Sequence, residues 1–224
     1  MQLEILNKNE RVSPSPMLQL ALDIIDLNEA KTLLHEIKDY IDIVEIGTPF
    51  ILRYGIKAIK EIKKIYPLLT LLADFKIADA GEYESHMAFN SGADIVTVLA
   101  TAPDSTIKTV IRQAVIDKKS VMVDTVGIND IGKRVSEIDK MGADYVCAHT
   151  GLDEQIIGVS TLKNLIKVKN NTNHAKIAVA GGINLSNLDV ILDKNPDIVI
   201  IGSGITSAAD RKSTAKKIKK IIAR

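Results

Sequence analysis

The sequence has no tryptophan and few other aromatic residues, with three Phe and five Tyr among 224 residues. It offers no interleaved aromatic and basic side chains on which bases could stack, and its formal net charge is only +1. A nucleic-acid partner is therefore not expected. The core must instead be built from Ile, Val, Leu and Ala, which suits strands that are buried on both faces.

The chain has a single cysteine, Cys147, so no disulfide can form within it. This fits a reducing compartment. No apolar run approaches the ~20 residues of a membrane-spanning helix. Charged Lys8, Glu10 and Arg11 stand where a signal peptide has its apolar region. We therefore expect a cytoplasmic protein without a membrane segment.

Short β-branched apolar runs alternate with longer amphipathic stretches along the whole chain. This alternation predicts parallel strands joined by crossover helices, and the continuous apolar runs indicate that helices cover the sheet. Strands are predicted at 17–23, 41–46, 70–74, 95–99, 121–125, 145–149, 176–180 and 198–201. Helices are predicted at 28–38, 51–65, 82–90, 104–117, 131–140, 160–169, 185–193 and 208–223.

This number of strand–helix units favours an α/β fold of one domain, a closed (β/α)8 TIM barrel, which typically needs ~250 residues. An open doubly wound sheet would give the same pattern. A weak internal repeat supports the assignment. Gly92-Ala93-Asp94 and Gly142-Ala143-Asp144 each end a helix and lead into a strand, and Asn195-Pro196-Asp197 does so with different residues. Residues 1–16 fall outside these units and are predicted to form an N-terminal arm before a barrel of residues 17–224.

Charged and polar side chains follow several of the predicted strands. Functional residues of such barrels cluster at the C-terminal ends of the strands. A buried strand rarely ends in a charge without cause, because an unpaired buried charge is costly. We therefore predict a site at this rim, formed by Asp23, Glu45, Asp74, Lys76, Asp124 and His149.

The segment from Asp74 to Asp79 places Lys76 between two carboxylates. Nearby anions keep a lysine protonated, and a fixed ammonium can stabilise a developing enolate or carbanion. The rival interpretation is a Schiff-base lysine. That role needs an amine of depressed pKa, which the two aspartates oppose.

Glu45 and Asp74 end neighbouring predicted strands. Two carboxylates, completed by substrate oxygens and water, suit Mg²⁺. Zinc is not favoured, because the single cysteine and the scattered histidines lack a ligand spacing.

Two glycine-rich turns follow the last two predicted strands. Phosphate sites of these barrels commonly use the loops after strands seven and eight, where glycine lets backbone N–H groups approach the anion. The predicted phosphate-binding residues are Gly181, Gly182, Gly202, Ser203 and Gly204.

These motifs together resemble a known family. Asp74-x-Lys76-x-x-Asp79, preceded by Val44-Glu45-Ile46-Gly47-Thr48-Pro49, resembles the orotidine-5′-monophosphate decarboxylase superfamily. Within it, the chain is most similar to the 3-hexulose-6-phosphate synthase family. Supporting segments are 18–23, 79–84, 149–151, 180–183 and 204–210.

The resemblance implies an aldehyde-lyase. Such an enzyme condenses formaldehyde reversibly with D-ribulose 5-phosphate to D-arabino-hex-3-ulose 6-phosphate, through an enediolate stabilised by Mg²⁺ (or Mn²⁺). Glu45 and Asp74 would then hold the ion, and Lys76 would stabilise the enediolate. His149 would transfer protons, supported by Asp23, Asp79 and Asp124. The resemblance also implies a homodimer with shared active sites, in which Asp79 reaches into the partner's site.

Two alternatives remain open. The first is 3-keto-L-gulonate-6-phosphate decarboxylase, which shares the Asp-x-Lys-x-x-Asp pattern but typically has arginine after its histidine and at the phosphate turn. Neither is present here, and Arg211 lies too far along the chain. The second is a non-catalytic phosphate-binding barrel, which would not require Glu45, Asp74, Lys76 and His149 together.

Overall fold

Strands and helices alternate along the protein in a computed structural model that describes residues 15–23 and 26–224. The strands are β1 (Met17–Leu22), β2 (Ile43–Ile46), β3 (Thr70–Ile77), β4 (Ile95–Leu99), β5 (Ser120–Asp124), β6 (Tyr145–His149), β7 (Lys176–Ala180) and β8 (Ile198–Ile201). The α-helices are α1 (Leu27–Ile37), α2 (Thr48–Tyr54), α3 (Lys57–Ile65), α4 (Gly81–Asn90), α5 (Asp104–Asp117), α6 (Ile131–Met141), α7 (Leu152–Ile156), α8 (Thr161–Lys169), α9 (Leu188–Leu192), α10 (Ser203–Thr206) and α11 (Arg211–Ile222).

The eight strands form a closed parallel barrel in chain order. Closure is made by β1 and β8, where Leu18 lies opposite Val199. The prediction of a single-domain (β/α)8 barrel is therefore confirmed, and the open sheet is excluded. The arm stays a prediction, because residues 1–14 lie outside the described part of the chain.

Two apolar layers stabilise the barrel. Successive strand residues point to opposite faces, so Leu18 and Leu20 pack under the helices while Ala21 points inward. The inner layer is small and contains Ile43, Leu72, Ile95, Met122, Cys147, Ala178, Ile198 and Ile200. The outer layer is likewise mostly Ile, Leu, Val and Ala, as the low aromatic content predicts.

Four aspartates at the N-terminal end of the barrel set the register of the strands. Each directly precedes an even-numbered strand, and its carboxylate accepts a hydrogen bond from a backbone N–H of the preceding odd-numbered strand. The bonds run from Leu18 to Asp42 (2.7 Å), Leu71 to Asp94 (3.0 Å), Val121 to Asp144 (2.8 Å) and Ile177 to Asp197 (2.7 Å). Three of these aspartates end the internal repeat seen in the sequence, so the repeat marks the pairs of strands.

Several predicted boundaries are wrong. The predicted helix 51–65 is two helices, because the chain turns at Gly55, whose φ is +62°. The helix predicted at 185–193 spans only Leu188–Leu192, and the one predicted at 208–223 begins at Arg211 after the short α10. β3 continues beyond Asp74 to Ile77, with a register shift against β4 between Ala73 and Ile77.

The described helices include none that is both long and apolar enough to cross a membrane.

Candidate active site

A cavity of about 590 Å³ opens at the C-terminal end of the barrel. Each of the eight strands, or the segment that follows it, contributes to its wall. The polar and glycine residues of the wall, in chain order, include Gln19, Asp23, Glu45, Thr48, Asp74, Lys76, Thr97, Asp124, His149, Gln155, Gly181, Gly182, Gly202, Ser203, Thr206 and Ser207.

Most of the predicted site residues therefore lie around one cavity, and two do not. Asp79 is exposed beyond β3, where its carboxylate accepts a hydrogen bond from the backbone N–H of Ala80 at 2.7 Å. Gly204 lies behind the wall, and a Cβ added there would come within 2.6 Å of the carbonyl oxygen of Ile183. Gly204 therefore allows α10 to pack closely against the turn after β7.

Asp74 is held by hydrogen bonds on both of its carboxylate oxygens. Thr97 donates to Oδ1 at 2.7 Å, while Thr48 and the Lys76 ammonium donate to Oδ2 at 2.8 and 2.5 Å. The backbone N–H of Lys76 in turn donates to the Thr97 hydroxyl at 2.9 Å. Neighbouring strands thus fix Asp74 and Lys76 relative to each other.

The backbone of Lys76 takes a left-handed conformation with φ +48°, at the bulge of β3. A non-glycine residue rarely adopts this conformation, and it costs of order 1–3 kcal/mol when imposed by its surroundings. Lys76 and Asp74, two residues apart, both line the cavity and meet in an ion pair.

The Lys76 ammonium lies between two carboxylates, with Nζ 2.5 Å from Asp74 Oδ2 and 3.3 Å from Asp124 Oδ2. Burial disfavours the charged amine, but these two anions outweigh it and raise the pKa of Lys76 above its ordinary value. The amine is therefore protonated at neutral pH, which suits an electrostatic role and opposes the Schiff-base interpretation.

Asp124 and His149 form a second buried pair across β5 and β6. Both Asp124 carboxylate oxygens lie near His149 Nδ1, at 3.0 and 2.8 Å. Burial opposes charge on the imidazole, but the Asp124 carboxylate outweighs it and raises the pKa of His149. Burial likewise acts against the Asp124 carboxylate, yet His149 and Lys76 lower its pKa. Asp124 thus connects the ammonium and the imidazole.

Three carboxyl groups line the same cavity, those of Asp23, Glu45 and Asp74. Burial and the charges of Asp74 and Asp23 raise the pKa of Glu45 to about 8. Burial and Asp74 also raise the pKa of Asp23, against the opposing charges of Lys76 and His149. Asp23 and Glu45 therefore each resist ionisation beside Asp74, and a bound cation would relieve that repulsion.

A divalent cation fits this donor set. The oxygens are of the kind that Mg²⁺ prefers, and Asp74 accepts three hydrogen bonds where a carboxylate offers about four lone-pair sites. Among the described residues, no three His, Cys, Asp or Glu side chains already form a metal cluster. Glu45 and Asp74 would thus supply part of the coordination shell and leave the rest to substrate oxygens and water.

The glycine turn after β7 borders the cavity with backbone. Gly181 has φ +115°, and a Cβ there would lie 2.4 Å from the Thr150 carbonyl oxygen, so only glycine fits. The Thr161 hydroxyl donates to the Gly181 carbonyl at 2.8 Å and fixes the turn. Gly202 and Ser203 complete this side of the wall after β8.

Arginine is absent from the described wall of the cavity, where Lys76 and His149 are the basic side chains. Both lie with the carboxylates. An anion at the glycine turns would therefore be bound by backbone N–H groups and hydroxyls.

Sequence reasoning did not identify Gln19, Thr48, Thr97 and Gln155 as wall residues. For Gln19 a signal existed, since a polar residue interrupts an apolar strand. Thr97 gave no signal, because threonine is common in strands. Its function in holding Asp74 and Lys76 depends on the register of β4 against β3.

The comparisons with known proteins agree with this geometry. The family model described as Orotidine 5'-phosphate decarboxylase / HUMPS family matches residues 16–218. A curated Bacillus subtilis (strain 168) protein named 3-hexulose-6-phosphate synthase is 48% identical over 205 residues, covering 92% of this chain and 98% of that protein.

Solved structures extend the likeness. 3-Hexulose-6-phosphate synthase from Salmonella typhimurium has a TM-score of 0.90 and 43% identity, covering 92% of this chain and 98% of its own. 3-Keto-L-gulonate-6-phosphate decarboxylase from Vibrio cholerae has a TM-score of 0.82 and 26% identity, covering 93% of this chain and 97% of its own. The resemblance read from the motifs and the expectation of an enzyme are both confirmed. The chain belongs to the orotidine 5′-phosphate decarboxylase / HUMPS family.

Proposed function

We propose that this enzyme condenses formaldehyde with D-ribulose 5-phosphate to D-arabino-hex-3-ulose 6-phosphate, and that the reaction is reversible. One observation carries the proposal. Glu45, Asp74, Lys76, Asp124 and His149 meet in one cavity whose wall also includes the backbone of two glycine turns. Near full-length relatives named 3-hexulose-6-phosphate synthase support the same reaction.

The first step breaks a C–H bond at C1 of the sugar, next to its C2 carbonyl. His149 accepts this proton, because Asp124 fixes its ring and stabilises the imidazolium that forms. The electron pair moves onto the C2 oxygen and gives an enediolate. The Lys76 ammonium is charged before the reaction begins and stabilises this anion without rearrangement.

The second step forms the new C–C bond. C1 of the enediolate attacks the formaldehyde carbon, the C2 carbonyl is restored, and the formaldehyde oxygen becomes an alkoxide. The alkoxide then takes a proton from the His149 imidazolium, so that the imidazole returns to its starting state. All atoms of both reactants are retained in the product.

Glu45 and Asp74 would hold Mg²⁺ or Mn²⁺ in this scheme. Such an ion polarises the oxygens next to the reacting carbon and so acidifies its C–H bond. Asp23 adds negative charge on the same side, and its raised pKa makes it a further proton-transfer group.

The phosphate of the substrate would bind at Gly181, Gly182, Gly202 and Ser203, whose backbone borders the same cavity. Gly204 would act indirectly by letting α10 approach this turn. The two turns follow β7 and β8, which β1 separates from β2 and β3. The anionic end of the sugar would therefore lie apart from Glu45 and Asp74, which would repel it.

We also propose a homodimer in which Asp79 takes part in the partner's site. The support is that Asp79 is exposed and absent from the cavity of its own chain. A cytoplasmic location completes the proposal.

A side-by-side assay tests the reaction. Formaldehyde consumption with ribulose 5-phosphate and carbon dioxide release from 3-keto-L-gulonate 6-phosphate are measured on the same protein. We expect the first reaction to dominate, because no arginine lines the described cavity. Dominant carbon dioxide release would instead identify the decarboxylase, and no turnover of either substrate would favour the non-catalytic barrel.

A further inference from the structure

Gln19 is a fully buried polar residue in the middle of β1. Its neighbours Leu18 and Leu20 point outward into the layer under the helices. Gln19 points inward and lines the cavity, whose wall also contains the apolar side chains of Leu72, Met122 and Ile200. Uncharged polar side chains are rarely placed in such a layer unless they have hydrogen-bond partners.

Only half of the Gln19 amide is satisfied. Its Nε2 donates to Glu45 Oε2 at 2.5 Å, whereas Oε1 is buried and has no partner among the described residues. A carboxyl group offers an acceptor oxygen whether or not it is ionised. Glu45 accepts from Nε2 of the amide, and the free acceptor Oε1 therefore faces elsewhere.

The free acceptor restricts which chemical groups of a ligand can bind to it. Oε1 pairs only with a donor, so neither the carbonyl oxygen of formaldehyde nor a phosphate dianion satisfies it. The hydroxyl groups of an open-chain sugar are donors, and a buried acceptor left without one is destabilising.

We propose that Gln19 Oε1 accepts a hydrogen bond from one hydroxyl group of the bound sugar phosphate. Gln19 is thereby a specificity-determining residue that recognises the polyol chain and excludes analogues lacking that hydroxyl. This inference rests on the proposed function, because it takes its ligand to be a phosphorylated polyol.

The test measures binding without turnover. Ribitol 5-phosphate keeps the hydroxyl groups but has no carbonyl, so it cannot react. Its dissociation constant, and those of its monodeoxy analogues, are measured by calorimetry on the full chain with divalent ions chelated. We expect one monodeoxy analogue to bind about 3- to 10-fold more weakly than the parent to the native protein.

The variant Gln19→Met completes the comparison, because the methionine side chain has a similar length but lacks the amide group. In this variant the same analogue should bind as well as the parent, because the acceptor is gone. Met122→Leu is the matched control. It alters the packing of the same inner layer, and discrimination between the two ligands should persist.

Two results would overturn the inference. In one, the native protein binds every monodeoxy analogue as tightly as the parent. This result requires no variant, so it can be obtained even if Gln19→Met does not fold. In the other, Gln19→Met retains the native discrimination, which assigns the hydroxyl to another group. Turnover of ribulose 5-phosphate with formaldehyde is measured separately. If no turnover occurs but the native protein still distinguishes the parent from the deoxy analogue, the proposed reaction is refuted. If turnover occurs but the two ligands bind equally well, only the inference about Gln19 is refuted.

Discussion

Replacing Asp124 by asparagine tests the electrostatic core of the site. The two side chains have nearly the same shape, but the amide carries no charge. Asp124 is almost completely buried, and its Oδ2 lies 2.8 Å from His149 Nδ1 and 3.3 Å from Lys76 Nζ. A hydrogen bond to a charged group is worth about 1.5–3 kcal/mol. Its loss removes the contact that raises the pKa of His149, so that pKa should fall.

Two assays measure this change. The histidine pKa is read directly by NMR titration, and kcat/KM is measured across pH. If His149 is the base, kcat/KM rises with pH through the raised pKa of the native histidine. In Asp124→Asn this rising limb of the pH profile of kcat/KM should move to lower pH. Because general base catalysis contributes about 10²–10⁴-fold, kcat should fall by at least about 10²-fold.

Thr125→Val is the matched control for Asp124→Asn. The Thr125 hydroxyl donates to the Cys147 carbonyl oxygen and accepts from the backbone N–H of His149. Its removal disturbs the same strands without changing any charge, so the pH limb should stay in place. An unmoved limb in Asp124→Asn, with kcat within about threefold of native, would refute the assigned pairing.

Four further predictions concern other parts of the molecule. Lys76→Ala should lower kcat by several orders of magnitude with unchanged circular dichroism, because it removes the fixed cation; kcat within tenfold of native would remove Lys76 from the mechanism. Chelation of divalent ions should abolish turnover and added Mg²⁺ should restore it, whereas unchanged turnover would exclude the metal. Glu45→Gln should raise the melting temperature of the metal-free protein. The pKa of Glu45 is raised from its ordinary value of 4.5 to about 8, so ionisation of Glu45 destabilises the fold increasingly as pH rises between these values. The gain in melting temperature should therefore grow towards alkaline pH. A gain that shrinks as pH rises would contradict this prediction. Asp144→Ala should lower the free energy of unfolding by about 1–3 kcal/mol, since it leaves the buried N–H of Val121 unpaired; exposed Asp39→Ala is the control, and equal effects of the two would count against the register role.

The barrel itself could be predicted from the sequence, because an apolar run and an amphipathic stretch recur in each unit and further signals recur in several. Apolar runs of strand length, helix ends at Gly92 and Gly142, and an aspartate before the next strand all agree. The number of units favours closure, but the pattern alone does not show it, since closure depends on β1 meeting β8. The extension of β3 was also hidden, because it rests on the left-handed conformation of Lys76 and on the Thr97 hydroxyl of the neighbouring strand.

The site was predictable where it lies at the ends of strands. Glu45, Asp74, Lys76, Asp124 and His149 follow or end apolar runs, and the fold brings such positions together.

Residues deeper in the barrel were less predictable. Gln19 lies one layer below the rim. Whether its side chain faces the cavity follows only once the register of β1 is known. Gly204 looks like a phosphate-turn glycine in the sequence, yet its position reflects close packing against Ile183. Asp79 belongs to the sequence motif but lies outside the cavity of its own chain.

Formation of the carbon–carbon bond is the most direct test of the proposed function. ¹³C-labelled formaldehyde and unlabelled ribulose 5-phosphate are incubated with the native protein and Mg²⁺, and the products are followed by NMR. We expect the label to appear in the terminal CH₂OH carbon of a hexulose phosphate, coupled to no other labelled carbon, and Lys76→Ala to yield almost none. Label that stays in formaldehyde while the native protein binds the sugar phosphate would contradict it.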